Sequence, residues 1–186
     1  MTREDMKRIR EAYRDTATRG ANAGYERLLL EMAGGHLLHS FLSPLSNRRT
    51  DQWGGSLANR MRFPLEVAKA VRAVWPGRLW ISLSATDWLP GGFTDDEAGL
   101  LARSLRGVGA DLLLVRSGHV TPASVPWYAR CYNAQFSDRI RNEAGMPVMV
   151  SGGLLSLDDV KNVLLAGRAD RVLIDGGWTP FATPSG

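Results

Sequence analysis

Apolar runs of strand length alternate with amphipathic segments of helix length along this chain. The run 112–115 is apolar at every position, which is typical of a strand buried on both faces of a parallel sheet. Alternation of this kind with short connections predicts an α/β fold with right-handed crossovers. We expect strands at 27–31, 79–84, 111–115, 147–151 and 171–174, and helices at 2–23, 56–74, 94–107, 136–144 and 156–166.

Several helix boundaries have a clear sequence signal. Thr2 with Asp5 and Thr94 with Glu97 each place an acidic residue three positions after a capping hydroxyl, which predicts two helix starts. Pro64 falls inside the second predicted helix, where we expect it to bend the helix or to mark an internal start.

Ligands of parallel α/β folds bind at the carboxyl ends of the strands. In this chain those ends are predicted at 31–39, 82–87, 116–119, 151–153 and 175–177. The candidate functional residues are therefore sought in these five segments.

Composition narrows the class of protein. The 186 residues are 44% hydrophobic, without a linker or low-complexity tract, so 1–186 is expected to be one domain. The net charge of +4 suits an anionic ligand, but basic residues alternate with acidic ones, and we expect no nucleic-acid partner. The single Cys131 excludes an internal disulfide and favours a cytoplasmic location. No apolar run is long enough for a signal peptide or a membrane span.

Polar residues gather at the predicted strand ends. A carboxylate near an imidazole or a phenol could perform acid–base chemistry, with Glu31 as base and His36 or Tyr132 as acid. Arg116 could anchor an anion, although it could equally form a structural ion pair with Glu31 or Asp175. These five residues are the candidate catalytic residues.

A second group could contact a substrate. The members are His39, Ser82, Trp88, His119 and Tyr128. A packing role is the simpler explanation for His39. For His119 the simpler explanation is a solvent-exposed position in a loop. The spacing of Glu31, His36 and His39 is a weak metal signal, and no metal site is expected.

The segment 43–63, SPLSNRRTDQWGGSLANRMRF, resembles the SPLSNxRTDEYGGSxENRxRF segment of the old yellow enzyme family of flavin oxidoreductases. Further similarities are LSATDW at 83–88, SDRIRNEAG at 137–145 and AGRAD at 166–170, in the family's order and spacing. YARCYN at 128–133 is similar to a motif of salicylyl-CoA and 2-aminobenzoyl-CoA monooxygenase-reductases.

The resemblance implies a partial (β/α)8 barrel that starts before the family's fourth strand and contains about five of the eight strands. An open parallel sheet has two unpaired edge strands. We therefore expect a homo-oligomer or a complementing protein partner.

The resemblance also shows where the chain departs from the family. Glu31 and Gly34 stand where the family has a His-x-x-His pair that binds substrate, and His36 replaces a tyrosine. Ser82 replaces an arginine that faces the flavin ring. Asp175 stands where an arginine grips the flavin phosphate, which leaves Gly152 as the retained phosphate-site residue.

Loss of charge-assisted arginine contacts weakens phosphate binding, so the departures favour an enzyme without a cofactor. Our leading expectation is a flavin-independent isomerase, cyclase or eliminating enzyme acting on a small carbonyl or aromatic substrate. One alternative is an FMN-dependent NAD(P)H oxidoreductase or a subunit of one. The other alternative is a non-catalytic partner that completes another barrel.

Overall fold

The computed structural model describes residues 1–174, which form a five-stranded parallel sheet in the order β1-β2-β3-β4-β5. The predicted α/β architecture is confirmed. The elements are α1 (Arg3–Asn22), β1 (Arg27–Met32), α2 (Leu37–Leu42), α3 (Leu57–Arg72), β2 (Arg78–Ser84), α4 (Asp95–Val108), β3 (Leu112–Arg116), α5 (Ala134–Ala144), β4 (Val148–Ser151), α6 (Leu157–Leu165) and β5 (Arg171–Leu173).

Hydrogen bonding at the caps explains where helices begin. Both predicted capping boxes are present, since Thr2 and Asp5 cap α1 reciprocally and Thr94 and Glu97 do the same for α4. Helix α3 is continuous through Pro64, whose side chain is buried. The interpretation of Pro64 as an internal helix start was therefore wrong.

The short helix α2 was missed in the sequence. It follows the Gly34–Gly35 turn directly and contains only six residues, too few to show a helical period. Burial of Leu38, Phe41 and Leu42 against the core holds it in place. As a result, the last three residues of segment 31–39 belong to a helix and not to the open rim that the sequence suggested.

One face of the sheet carries the main core. Leu79, Ile81 and Leu83 of β2 are fully buried beneath the helices, where they belong to the same cluster as Phe63 and Val67 of α3. This burial is the principal force that holds helices and strands together.

The other face has a smaller apolar cluster around Trp80, formed with Leu112, Leu114 and Met149. The guanidinium groups of Arg27 and Arg171 each lie 5.7 Å from the indole ring, so cation–π contacts flank it on the two edge strands.

The edge strand β1 pairs with β2 alone among residues 1–174. Leu29 on this strand is 47% exposed, and a cavity of about 400 Å³ beside it is lined by Ile9, Tyr13 and Leu28. Burial raises the pKa of Tyr13, and the charge of Glu31 adds to this effect. No helix between residues 1 and 174 is long and apolar enough to cross a membrane.

Candidate active site

The carboxyl ends of the first three strands bring three predicted residues together. Ser82 Oγ donates a hydrogen bond to Glu31 Oε1, which also accepts the Ala33 N–H at 3.0 Å. Arg116 Nη1 lies 3.7 Å from the other carboxylate oxygen, Glu31 Oε2. Of the alternatives open for Glu31, the structure contains the ion pair with Arg116.

Ser82 is buried beneath the site. The residue is 0% exposed, and its hydroxyl donates to Glu31, which the register Glu31↔Ser82 places directly beside it. This position favours a supporting role for Ser82, and its substrate contact stays a prediction.

A polar crevice of about 220 Å³ opens between the ends of β3 and β4. Its lining includes Arg116, His119 and Tyr132. Below them, Ser117 Oγ donates to Asn133 Oδ1 at 2.6 Å, and Asn133 Nδ2 donates to the Ser151 carbonyl at 2.8 Å. This buried bridge fixes the two strand ends relative to each other.

His39 lies in the interior, in agreement with the packing role that the sequence favoured over substrate contact. It is 0% exposed, and its Nδ1 accepts the Gly35 N–H at 3.0 Å while Nε2 lies 3.1 Å from Asp87 Oδ1. Because Nδ1 accepts, the ring proton is on Nε2 and is donated to Asp87. Ser43 Oγ and the Phe93 N–H complete the donors to that carboxylate, so His39 connects two strand-end loops in the interior.

The other histidines lie further from Glu31. His36 is exposed at the start of α2, and its side chain makes no capping hydrogen bond. His119 has a φ of 68° and lies 3.4 Å from the Tyr128 hydroxyl through Nε2. The structure thus brings His119, Tyr128 and Tyr132 to one crevice wall and leaves His36 outside it.

Trp88 is partly buried, and its indole packs edge-on against Phe136 at 5.5 Å between ring centroids. It packs against the main core, which favours a structural role for Trp88, and its substrate contact stays a prediction. Asp175 lies outside the described residues.

A second crevice, of about 500 Å³, adjoins the first and shares Tyr132 with it. Gly152 and Gly153 form its turn, with φ of 104° and 70°, and Tyr128 and Arg130 line it. Gly152 is buried, and because Ser151 pairs with Leu173, the Gly152 N–H belongs to the hydrogen-bonded ladder between β4 and β5. Gly153 is partly buried, and a backbone N–H in a glycine turn at a strand end suits a phosphate oxygen.

Arg130 is the residue of this crevice that sequence reasoning missed. It lies between two predicted elements, within the segment YARCYN at 128–133, but it was not among the candidate site residues. Burial raises the pKa of the neighbouring Cys131 thiol, which disfavours the thiolate form. Within residues 1–174, no three His, Cys, Asp or Glu side chains cluster in a way that could hold a metal ion.

Comparison with known proteins gives a consistent result. The model of the NADH:flavin oxidoreductase / NADH oxidase family matches residues 1–176. The NADPH dehydrogenase of Geobacillus thermodenitrificans is 40% identical over 98% of this chain and 55% of that protein. The NADPH dehydrogenase of Bacillus subtilis is 33% identical over 94% of this chain and 51% of that protein. The chain thus spans about half the length of these relatives.

Solved structures agree in fold. A 2-naphthoyl-CoA reductase in complex with 2-naphthoyl-CoA superposes with a TM-score of 0.84 at 27% identity, covering 94% of this chain and 27% of that one. Morphinone reductase superposes with a TM-score of 0.76 at 29% identity, covering 94% of this chain and 46% of that one.

These matches correct the expectation that the chain uses no cofactor. The family is a flavin oxidoreductase family and the relatives are NADPH dehydrogenases, which points to FMN. The charge argument failed because it considered arginines only at aligned positions, whereas Arg116 and Arg130 also line crevices at the strand ends. The flavin-dependent alternative is thereby favoured over flavin-independent isomerisation, and the chain belongs to the NADH:flavin oxidoreductase / NADH oxidase family.

Proposed function

We propose that this chain forms the FMN-binding part of an NAD(P)H-dependent oxidoreductase that acts on a small carbonyl-containing substrate. The observation that carries the proposal is the polar crevice lined by Arg116, His119 and Tyr132, at the strand ends of a flavin-family fold. FMN would supply hydride transfer between the nicotinamide and the substrate.

The residues present fit FMN in two respects. The Gly153 N–H would donate to a phosphate oxygen, and no side chain at Gly153 could be accommodated because it would collide with the Ala129 carbonyl. Arg116 offers a guanidinium at the end of β3, on the strand next to Ser82. Ser82 stands at the position where the family resemblance implies an arginine.

Arg116 would also orient the substrate. Its guanidinium lines the smaller crevice, and a guanidinium donates two parallel hydrogen bonds to a carbonyl or carboxylate. Glu31 holds this side chain from the opposite direction through the ion pair, so Glu31 serves to position Arg116.

A proton donor is available on the opposite wall. Tyr132 and His119 line the same crevice as Arg116, and the Tyr128 hydroxyl approaches His119 Nε2 at 3.4 Å. In the proposed function, Tyr132 or His119 supplies the proton that a reduced substrate needs.

An aromatic acyl thioester is the substrate class that we favour. Tyr128 is 62% exposed and packs edge-on against Tyr132, which leaves an aromatic face free to stack on a planar ring. The structurally similar 2-naphthoyl-CoA reductase binds such a thioester, and the resemblance of 128–133 to salicylyl-CoA monooxygenase-reductases supports the same class.

The edge strand β1 exposes apolar surface. Exposed Leu29 and the apolar cavity beside β1 support the proposal that a second copy or a complementing polypeptide covers this edge. The same observation favours a second candidate function, in which the chain completes another barrel without catalysing a reaction itself.

The first experiment separates these functions. The purified chain is mixed with FMN, passed through gel filtration and measured for flavin absorbance and for mass by light scattering. We expect a yellow protein with stoichiometric FMN that NADPH bleaches without oxygen. A colourless protein that gains no flavin would overturn the proposed function and leave the non-catalytic partner.

A further inference from the structure

A basic cavity lies at the amino ends of the strands, at the opposite end of the sheet from the candidate active site. It measures about 600 Å³ and is lined by Glu26, Arg27, Pro76, Gly77, Arg78 and Arg171. The three arginines are the first residues of β1, β2 and β5. Glu31 lies four positions further along β1 than Arg27, or about 13 Å, so the cavity is separate from the crevices at the carboxyl ends.

Positive charge gathers in this cavity without matching carboxylates. Arg27 and Arg78 are direct neighbours in the register of β1 and β2, and like charges in that arrangement destabilise a strand pair. Within residues 1–174, none of the three arginines forms an ion pair. Glu26 is the one acidic residue of the lining, so three positive charges face a single negative charge.

The side chain of Trp80 holds two of the guanidinium groups in place. Arg27 on the edge strand β1 and Arg171 on the edge strand β5 each lie 5.7 Å from its ring centroid. Asp170, next to Arg171 in the chain, pairs with Arg141 at 3.0 Å instead. Arginines held against an indole lose less freedom when a ligand binds than arginines extended into solvent, so the cavity is partly preorganised for an anion.

The backbone wall of the cavity is also fixed. The Arg78 N–H donates to the Glu26 carbonyl at 3.0 Å. A Cβ at Gly77 would collide with the same carbonyl, so the turn before β2 lies directly against the start of β1. The arginines of β1 and β2 are therefore presented from a closely packed backbone.

We propose that this cavity binds a small molecule bearing a diphosphate group, held between Arg27 and Arg171 with Arg78 as a third donor. Guanidinium groups donate paired hydrogen bonds to phosphate oxygens, and a multivalent anion offsets a threefold positive charge better than a monovalent one. The bound anion would connect the two edge strands across the sheet. This site goes beyond the proposed function and uses none of the residues assigned to it.

The experiment measures dissociation constants by isothermal titration calorimetry at constant ionic strength, with inorganic pyrophosphate, orthophosphate and ADP as probes. We expect pyrophosphate to bind at least about tenfold more tightly than orthophosphate, because more of its oxygens meet guanidinium groups. Arg27→Gln and Arg171→Gln should each weaken pyrophosphate binding about five- to tenfold, as expected for accessible charge pairs. Tighter binding of ADP than of pyrophosphate, lost in the same variants, would identify a nucleotide and not a free diphosphate as the ligand.

The matched control is Arg62→Gln. Arg62 also lies over an indole, at 6.0 Å from the ring centroid of Trp53, but outside the cavity. This variant makes the same change of charge and should leave the dissociation constants unchanged. Trp80→Leu keeps all three arginines and should weaken pyrophosphate binding by loss of positioning alone.

Thermal unfolding provides a second readout. Pyrophosphate should raise the midpoint of the unaltered chain and of Arg62→Gln, and it should raise that of Arg27→Gln and Arg171→Gln much less. Unfolding without ligand verifies that each variant is folded. If either variant does not fold, Arg78→Gln replaces it, because it leaves both contacts to Trp80 in place.

Three outcomes would overturn the site. They are equal affinity for orthophosphate and pyrophosphate, pyrophosphate binding that the arginine variants leave unchanged, and the absence of any binding by the unaltered chain. A chain that takes up no flavin but binds pyrophosphate in this manner would sink the proposed function and leave the diphosphate site standing.

Discussion

Glu31 Oε2 at the end of β1 lies 3.7 Å from Arg116 Nη1 at the end of β3, so an ion pair spans the intervening strand β2. Ser82 on β2 supports the bridge from below through its hydrogen bond to Glu31 Oε1. Both charged side chains are about one-third exposed, at 30% and 37%, so solvent weakens their attraction and leaves the guanidinium accessible to a ligand.

The ion pair should compete with anionic substrates. Glu31→Gln removes the charge that neutralises Arg116, so salicylate should bind about two- to fivefold more tightly, as expected for an exposed pair. Isothermal titration calorimetry provides the measurement. Arg116→Gln should abolish the binding, and Arg62→Gln, which removes an arginine stacked on Trp53, should leave it unchanged. Weaker salicylate binding in Glu31→Gln would contradict the assigned role of Arg116.

The two neighbouring histidines should differ sharply in their effect on stability. His39→Ala removes a fully buried ring and one donor to Asp87, so the free energy of unfolding should fall by about 2–5 kcal/mol. The matched control is His36→Ala, which truncates an exposed side chain and should change stability by less than about 0.5 kcal/mol. Urea unfolding measures both, and similar losses would show that the buried network does not stabilise the fold.

Two glycines with the same φ allow the cost of a left-handed backbone to be measured separately from the cost of a steric clash. Gly35 and Gly55 both have φ of 77°, but a Cβ at Gly35 would strike the His119 carbonyl, whereas Gly55 has nothing within 4 Å. Gly55→Ala should cost about 1–2 kcal/mol from the left-handed conformation alone. Gly35→Ala should cost clearly more because the β1 and β3 loops must separate. Equal losses in thermal unfolding would mean that this contact is absent in solution.

Asp170 should make stability depend on pH. The hydrogen bond from Arg141 holds the pKa of its carboxyl below the ordinary value, and the Val148 N–H acts in the same direction. A depressed folded-state pKa stabilises the protein above the unfolded-state pKa, and this contribution is lost as the pH falls through the folded-state pKa.

The test is Asp170→Asn, compared with the unaltered chain by urea unfolding. At neutral pH the variant should be less stable by about 1 kcal/mol, and the difference should shrink as the medium becomes more acidic than the folded-state pKa of Asp170. Asp15→Asn, which removes the same charge from an exposed pair on α1, provides the control. A difference that grows in acid would refute the assignment.

The sequence alone determined the order of elements, because their signals are local. A wholly apolar run at 112–115 is suited to a buried strand, and the hydroxyl–carboxylate spacing at Thr94 and Glu97 caps a helix wherever the fold places it. The motif at 43–63 likewise identified the family, which the family model confirmed. Residues 31–39 were harder to interpret because α2 is too short to show a period.

Only the tertiary structure decided which polar groups are available for chemistry. His39 and Ser82 are residue types that often occur in active sites. In the structure both are buried, and they form hydrogen bonds with Asp87 and Glu31, respectively. Arg130 belongs to the segment 128–133, but only the structure shows that it lies in the crevice of Gly152, because Cys131 N–H donates to the Gly153 carbonyl and holds the loop after β3 against the end of β4. Exposure and hydrogen-bond commitment depend on contacts between residues far apart in the chain, and a pattern of residue types does not contain them.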